Sequence, residues 1–212
     1  MMYMLNKRKI LISILLCLLP IVYALLVYDK LPEMIPTHWN FSGEIDGYTS
    51  KKVFVFGMPI FFAVLNIFSI FMLEADPKKI ENKNNFLFKN VLWIGPIFIN
   101  IVVILVILAS LGYNINMLMI TKIFVGIVLI VVGNYIPKTR QNYTVGIRTP
   151  WTLNNEENWN KTHRFGGKIL VISGIMTILS VFIPYLYIFA FILFPLIIVY
   201  SYWIYRNSKK DS

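Results

Sequence analysis

Apolar residues run in blocks too long for one face of a soluble helix, and the polar residues are gathered between them. A bilayer core of ~30 Å takes about 20 helical residues at ~1.5 Å each. That ruler divides the chain into six spans, approximately 10–28, 53–73, 91–111, 117–136, 167–183 and 185–205. The third and fourth are joined by a turn at 112–116, and Pro184 separates the last two, so each pair reads as a tight helical hairpin. Merging 167–205 into one helix would overshoot the bilayer and place a proline, which removes a backbone hydrogen bond, in its middle.

Within this frame two polar stretches stand out. In residues 32–52, PEMIPTHWNFSGEIDGYTSKK, prolines favour extended backbone, and Ser42-Gly43 and Asp46-Gly47 supply turn chemistry. Thr37, Trp39 and Phe41 alternate with His38 and Asn40, which predicts a short strand or hairpin capping the bundle. The rings of Trp39, Phe41 and Tyr48 either anchor that cap at the interface or form a docking surface with Glu44 and Asp46.

The second stretch, residues 142–168, reads NYTVGIRTPWTLNNEENWNKTHRFGGK. Asn154 as N-cap with Glu157 three residues on predicts a helix over about 155–165, with Glu157–Lys161 and Trp159–His163 pairs at i,i+4. This short amphipathic helix is expected to lie along the membrane face, Trp159 dipping inward, with Gly166-Gly167 as the turn or hinge into the fifth span. Ahead of it, the fork of Arg148 can bridge carboxylates, phosphates or carbonyls.

Composition and charge give the frame its sidedness. The hydrophobic fraction is 58% and the mean hydropathy is +0.68. The net charge of +10 flanks the apolar runs instead of lining a polar domain, which speaks against direct nucleic-acid binding. Sixteen of the twenty Lys and Arg residues fall on one side: three before the first span, four between the second and third, six between the fourth and fifth, and three at the end. By the positive-inside rule both termini are cytoplasmic, the 29–52 loop is outside and the 137–167 loop is inside. The first apolar stretch exceeds the ~7–15 residues of a signal-peptide core, so it reads as an uncleaved helix of a multi-pass cell-membrane protein.

The expected fold is therefore an all-α integral membrane protein. It has six transmembrane helices, a small outer cap loop and a cytoplasmic loop bearing a short amphipathic helix. Two regions follow: a four-helix membrane region at 1–136 with the outer loop 29–52, and a region at 137–212 with the cytoplasmic loop 137–166 and two C-terminal spans.

Candidate chemistry narrows the picture further. Cys17 is the one cysteine, so neither an intrachain disulfide nor a cysteine metal cluster can form, and no cofactor is expected. Glu156, Glu157 and His163 are the groups able to serve as acid and base, but no nucleophile stands near them and no HExxH, GxSxG, CxxC or GxxxxGK[ST] pattern occurs. Inside the spans, Asn66 and Asn100 read as interhelical hydrogen-bonding groups and Lys122 as a snorkelling cation. The spans carry no acidic or histidine relay of the kind a proton-coupled pump needs, which leaves a polar-lined carrier of small solutes, peptides or lipids as the competing reading.

Two patches, IPTHWNFSGEIDGYTSK at 35–51 and GIRTPWTLNNEENWNKTHRFGGK at 146–168, together with the six-span layout, resemble the SdpI-like immunity protein family. These are membrane proteins that protect Bacillus-type bacteria from the sporulation-delay toxin peptide. The resemblance implies a non-enzymatic protein that gives resistance to an exported antimicrobial peptide. It also implies, from the best-known branch, that a small DNA-binding repressor is held at the membrane to relay a signal. It points to His38, Trp39, Gly43, Asp46 and Gly47 for toxin recognition outside. For partner docking inside it points to Arg148, Thr149, Pro150, Trp151, Trp159, His163 and Arg164. Membrane lipid is the remaining partner.

Overall fold

The computed structural model describes residues 5–40 and 42–209. Phe41, part of the expected strand alternation, and Lys210, one of the charges counted at the C-terminus, lie outside the described residues. The chain is an all-α membrane fold with one two-stranded hairpin, β1 (Met34–Trp39) and β2 (Ile45–Ser50). Its helices are α1 (Lys7–Leu26), α2 (Met58–Ala75), α3 (Phe86–Ser110), α4 (Met117–Tyr135), α5 (Pro150–Asn154), α6 (Glu156–Leu179), α7 (Leu186–Ile192) and α8 (Phe194–Ser208). They fall into two compact units, Met1–Glu74 with Asn90–Leu118, and Ala75–Lys89 with Met119–Ser212.

In the first unit, polar atoms inside the apolar helices find partners on neighbouring helices, as a medium without water demands. The Asn66 amide donates to Ser13 Oγ at 3.0 Å, joining α2 to α1. Asn100 of α3 donates to the Leu16 carbonyl at 2.8 Å. That carbonyl lies four residues before Pro20, the proline inside α1, which has no N–H to offer it. The Asn66 and Asn100 expectations thus hold. At one end of this unit Ile35, Phe54, Val55, Ile99, Val103 and Val106 form a buried core, against which Trp39 packs, and a π-helical turn (Val53–Gly57) leads into α2.

In the second unit α4 and α6 run antiparallel at backbone contact. A Cβ built on Gly133 would lie 2.7 Å from the Gly167 carbonyl, and one on Gly126 would lie 2.7 Å from that of Gly174. The reciprocal distances, from Gly167 and Gly174, are both 2.6 Å. Two glycine pairs spaced by seven residues on each helix therefore set the separation, the close approach that small residues permit in membranes. Lys122 donates to the Ser180 carbonyl at 3.2 Å, placing a cation on the C-terminal end of α6. The other side of α6 meets α7 and α8, with Ser173 Oγ donating to the Ala190 carbonyl at 2.9 Å.

Four expectations need correction. Residues 155–165 are not a separate interfacial helix: they are the first turns of α6, which continues unbroken through Gly166 and Gly167. Those glycines sit in helical backbone, where packing requires their small size, Gly166 against Ile147 and Ile197 and Gly167 against Gly133 and Pro137; they do not turn the chain. The N-cap is Asn155, whose side chain accepts from the Asn158 N–H at 2.7 Å, while Asn154 ends α5. Finally, the expected 185–205 helix is interrupted at Leu193, just before Phe194-Pro195, to give α7 and α8.

Among the described residues, five helical segments are long and apolar enough to cross a membrane: Lys7–Leu26, Val53–Ala75, Phe86–Ser110, Met117–Lys138 and Leu186–Ser208. The fifth expected span, 167–183, corresponds to α6, whose first turns are polar and which is not among these five. Its apolar part, residues 167–179, rises only about 20 Å at 1.5 Å per residue, against a core of ~30 Å.

Candidate functional site

The expected hairpin at 34–50 forms, with register pairs Ile35–Thr49, Pro36–Tyr48, His38–Gly47 and Trp39–Ile45 and an irregularity on either side of His38. Gly47 is required there, because a Cβ on it would fall 2.8 Å from that of His38. Gly43 takes φ +85° in the turn, which Asn40 stabilises by accepting from the N–H groups of Ser42 and Glu44 at 2.9 and 3.0 Å. His38 Nδ1 lies 2.5 Å from Asp46 Oδ1, both side chains exposed. The five residues singled out in the sequence thus divide by role: Trp39 faces the core, Gly43 and Gly47 shape the backbone, and His38 and Asp46 present a surface pair. Met34, Ile45 and Tyr48 add exposed apolar area beside them.

Sequence reasoning missed the group that ties the hairpin down. Lys51, just past β2, is buried; its ammonium donates to the Leu31 carbonyl at 3.0 Å, pairs with Glu33 at 2.8 Å and lies 4.8 Å from the centre of the Tyr28 ring. Its adjacent twin Lys52 is exposed, so composition offers no signal to tell them apart.

The second candidate region, residues 139–163, is a plug of buried polar groups with few free atoms. α5 starts with a reciprocal cap, Thr149 Oγ1 accepting from the Thr152 N–H and Thr152 Oγ1 from the Thr149 N–H, with Pro150 in its first turn. Trp151 donates to Ser201 Oγ at 2.7 Å and its ring stacks on Tyr205 and meets Tyr202 edge-on. Asn158 donates to the Ser201 carbonyl at 3.0 Å and accepts from Thr162 and Ser201.

Trp159, expected to dip into lipid, is completely buried, and its indole N–H donates to the Thr139 carbonyl at 2.7 Å. It stacks on His163 as its i,i+4 spacing predicted, ring centres 3.9 Å apart. Both nitrogens of His163 are engaged: Nδ1 is 2.7 Å from the Trp159 carbonyl, and Nε2 accepts from the Ile147 N–H at 3.0 Å. This pattern fixes the neutral tautomer with the proton on Nδ1. Burial pushes the imidazole down to about 4, against the opposing pull of the Trp159 carbonyl. Gly146, at φ +138°, leaves room for the two rings, since a Cβ there would lie 2.5 Å from His163 Nε2.

Asp76, also unanticipated, is buried and accepts from the Tyr143 N–H at 2.9 Å and Thr144 Oγ1 at 2.6 Å, pinning the 142–145 turn. The guanidinium of Arg148 donates to the Tyr143 carbonyl from an exposed position. Pro150 and Arg164 are exposed too, and the Glu157–Lys161 pair forms at 2.5 Å on the surface, lowering the Glu157 carboxyl and raising the Lys161 ammonium. Of the seven residues singled out in this loop, Arg148, Pro150 and Arg164 offer surface, Thr149 and Trp151 are half-buried, and Trp159 and His163 are structural. Among the described residues no group of three or more His, Cys, Asp or Glu side chains converges to hold a metal ion.

Two family models match this chain: the SdpI/YfhL protein family over residues 138–203, and a domain of unknown function (DUF1648) over residues 15–63. The immunity protein SdpI of Bacillus subtilis (strain 168) is 33% identical over 176 residues, 82% of this chain and 83% of that one. The chain belongs to the SdpI/YfhL family. No solved structure matches it. The SdpI/YfhL match takes in the buried network from Thr139 to Ser201, whereas Asp76, which completes it, lies outside. The DUF1648 match covers the hairpin and Lys51.

Proposed function

We propose that this protein is a membrane immunity protein that confers resistance to an exported antimicrobial peptide. The observation that carries this reading is its 33% identity, over 82% of its length, to an immunity protein. With both termini cytoplasmic, as the positive residues favour, the hairpin is the surface that meets the peptide outside. Exposed Met34, Ile45 and Tyr48 supply apolar area, and the His38–Asp46 pair supplies polarity.

The finer part of the proposal divides the chain into a receiving region, 1–136, and a reporting region, 137–212. In the second, the exposed Arg148, Pro150 and Arg164 form the surface on which a small DNA-binding repressor docks. Trp159 and His163 hold that surface in place from beneath. Relay of a signal requires the peptide to favour one of two arrangements of the helices.

Expression in a toxin-sensitive bacterium tests both levels. Wild type protects against a related exported peptide, Trp39→Ala and Tyr48→Ala weaken protection, and an Arg148→Ala, Arg164→Ala double variant keeps protection but loses recruitment of the repressor. Absence of any protection by wild type overturns the immunity assignment. Recruitment unchanged in the double variant removes the proposed docking surface.

A further inference from the structure

A cavity of about 510 Å³ opens between the 76–85 loop and the end of α4, apart from the hairpin and bordered at one edge by Arg140 of the polar plug. Lys83, Lys138 and Arg140 bring three positive charges to its wall, with Glu81 the one acidic residue. All four side chains are exposed, and among the described residues none of the four forms an ion pair. The wall itself is built. Asn82 is buried and accepts from the Arg140 N–H at 2.9 Å, and Asn85 donates to Thr139 Oγ1 at 3.3 Å while its own oxygen caps the start of α3.

The cavity's depth in the membrane follows from its aromatic floor. Phe86 opens one long apolar helix and Tyr135 closes another; their rings stack with centres 4.0 Å apart, and the Lys138 ammonium lies 4.6 Å from the Tyr135 ring centre. Aromatic rings and lysines at the ends of apolar helices mark the level of lipid headgroups. Ile80 and Phe86, 52% and 39% exposed, border the same cavity. A small soluble anion would leave these two side chains in water, whereas an amphipathic anion covers them while its phosphate meets the cations.

We propose that this cavity binds the headgroup of an anionic phospholipid, with Lys83, Lys138 and Arg140 around the phosphate and Ile80 and Phe86 against the glycerol and upper acyl chain. Basic pockets at helix ends recognise anionic lipids by this combination of charge and apolar contact. The site is independent of the immunity reading and of which side of the membrane it faces.

The test is native mass spectrometry of the full chain in detergent, titrated with phosphatidylglycerol, phosphatidylcholine or inorganic phosphate. Wild type retains phosphatidylglycerol in preference to phosphatidylcholine. Lys83→Gln, Lys138→Gln and Arg140→Gln each weaken that binding about fivefold. The triple variant loses the preference, and Lys161→Gln, remote in sequence from the cavity, keeps it. A triple variant that binds phosphatidylglycerol as wild type does overturns the proposal. So does displacement of the lipid by inorganic phosphate at equal concentration, which would mark a free-anion site. If the triple variant fails to fold, as read by its helicity in phosphatidylcholine, the single Lys138→Gln variant decides with the same two outcomes.

Discussion

Replacing Gly167 with alanine tests the close approach of α4 and α6, on which the second unit is built. A methyl at this position meets the Gly133 carbonyl and a Pro137 ring carbon, both at 2.6 Å, where ordinary contact begins at 3.4 Å. The obstacles are backbone and a rigid ring, so the helices must separate. Overpacking of this kind costs about 1–3 kcal/mol. Against it stands the gain of about 0.5–1 kcal/mol when alanine replaces a helical glycine. With backbone and a rigid ring as the obstacles the clash dominates, and the expected net loss is about 1 kcal/mol within a range of about 0–2.5 kcal/mol.

Gly174→Ala meets the Gly126 carbonyl at 2.6 Å and should behave alike. The two sites lie about 10 Å apart on one interface, and because each substitution forces the same two helices apart, the double variant should lose less than the sum of the two. Unfolding of purified protein in mixed detergent with increasing SDS, followed by tryptophan fluorescence, measures both variants and the double. If Gly167→Ala raises stability, helix propensity outweighs contact, and the backbone-to-backbone packing of α4 on α6 is refuted.

Other expectations follow from single groups. For His163 the folded value of about 4 lies below the ordinary 6.5, so as pH falls the unfolded chain takes up its proton first. Stability should be fully present above pH 6.5, decline between 6.5 and 4 by about 3 kcal/mol, and then level off; His163→Gln should flatten that slope, and an unchanged slope would exclude the histidine as its source. Lys51→Ala leaves the buried Leu31 carbonyl without its donor, at a cost of about 1–3 kcal/mol, and hydrogen exchange should rise across 34–50 with the long helices unaffected. Asp76→Ala strips the Tyr143 N–H and Thr144 hydroxyl of their acceptor and should open residues 142–145 to limited proteolysis; full resistance would show that the turn holds without the carboxylate.

Five of the six expected spans were legible because a bilayer imposes one length and one polarity, and both can be read along a single chain. The hairpin was legible for a similar reason, since its alternation and its turn at Gly43 are local; Gly47, expected to turn the chain, lies instead in β2 and is required by His38 across the hairpin. The i,i+4 pairs Trp159–His163 and Glu157–Lys161 also needed nothing beyond helical spacing. Gly166 and Gly167 were misread because a glycine pair has the same local signature whether it turns the chain or admits a neighbour. Only the presence of Gly133 and Pro137 across the interface distinguishes the two cases.

The sequence by itself determined a helical membrane protein, five of the segments able to cross a bilayer, the hairpin, and the stretches that carry the family resemblance, since each depends on hydropathy, period or local turn geometry. Tertiary structure alone decided which polar residues are surface and which are scaffold. Lys51 and Lys52 are identical neighbours, yet one is buried on a carbonyl and the other faces solvent. The family resemblance points to Trp159 and His163 for docking, yet both are sealed beneath residues 139–149. Burial is a property of what covers a residue, and the covering groups, Thr139 and Ile147 over α6 and Asp76 over the 142–145 turn, come from distant parts of the chain.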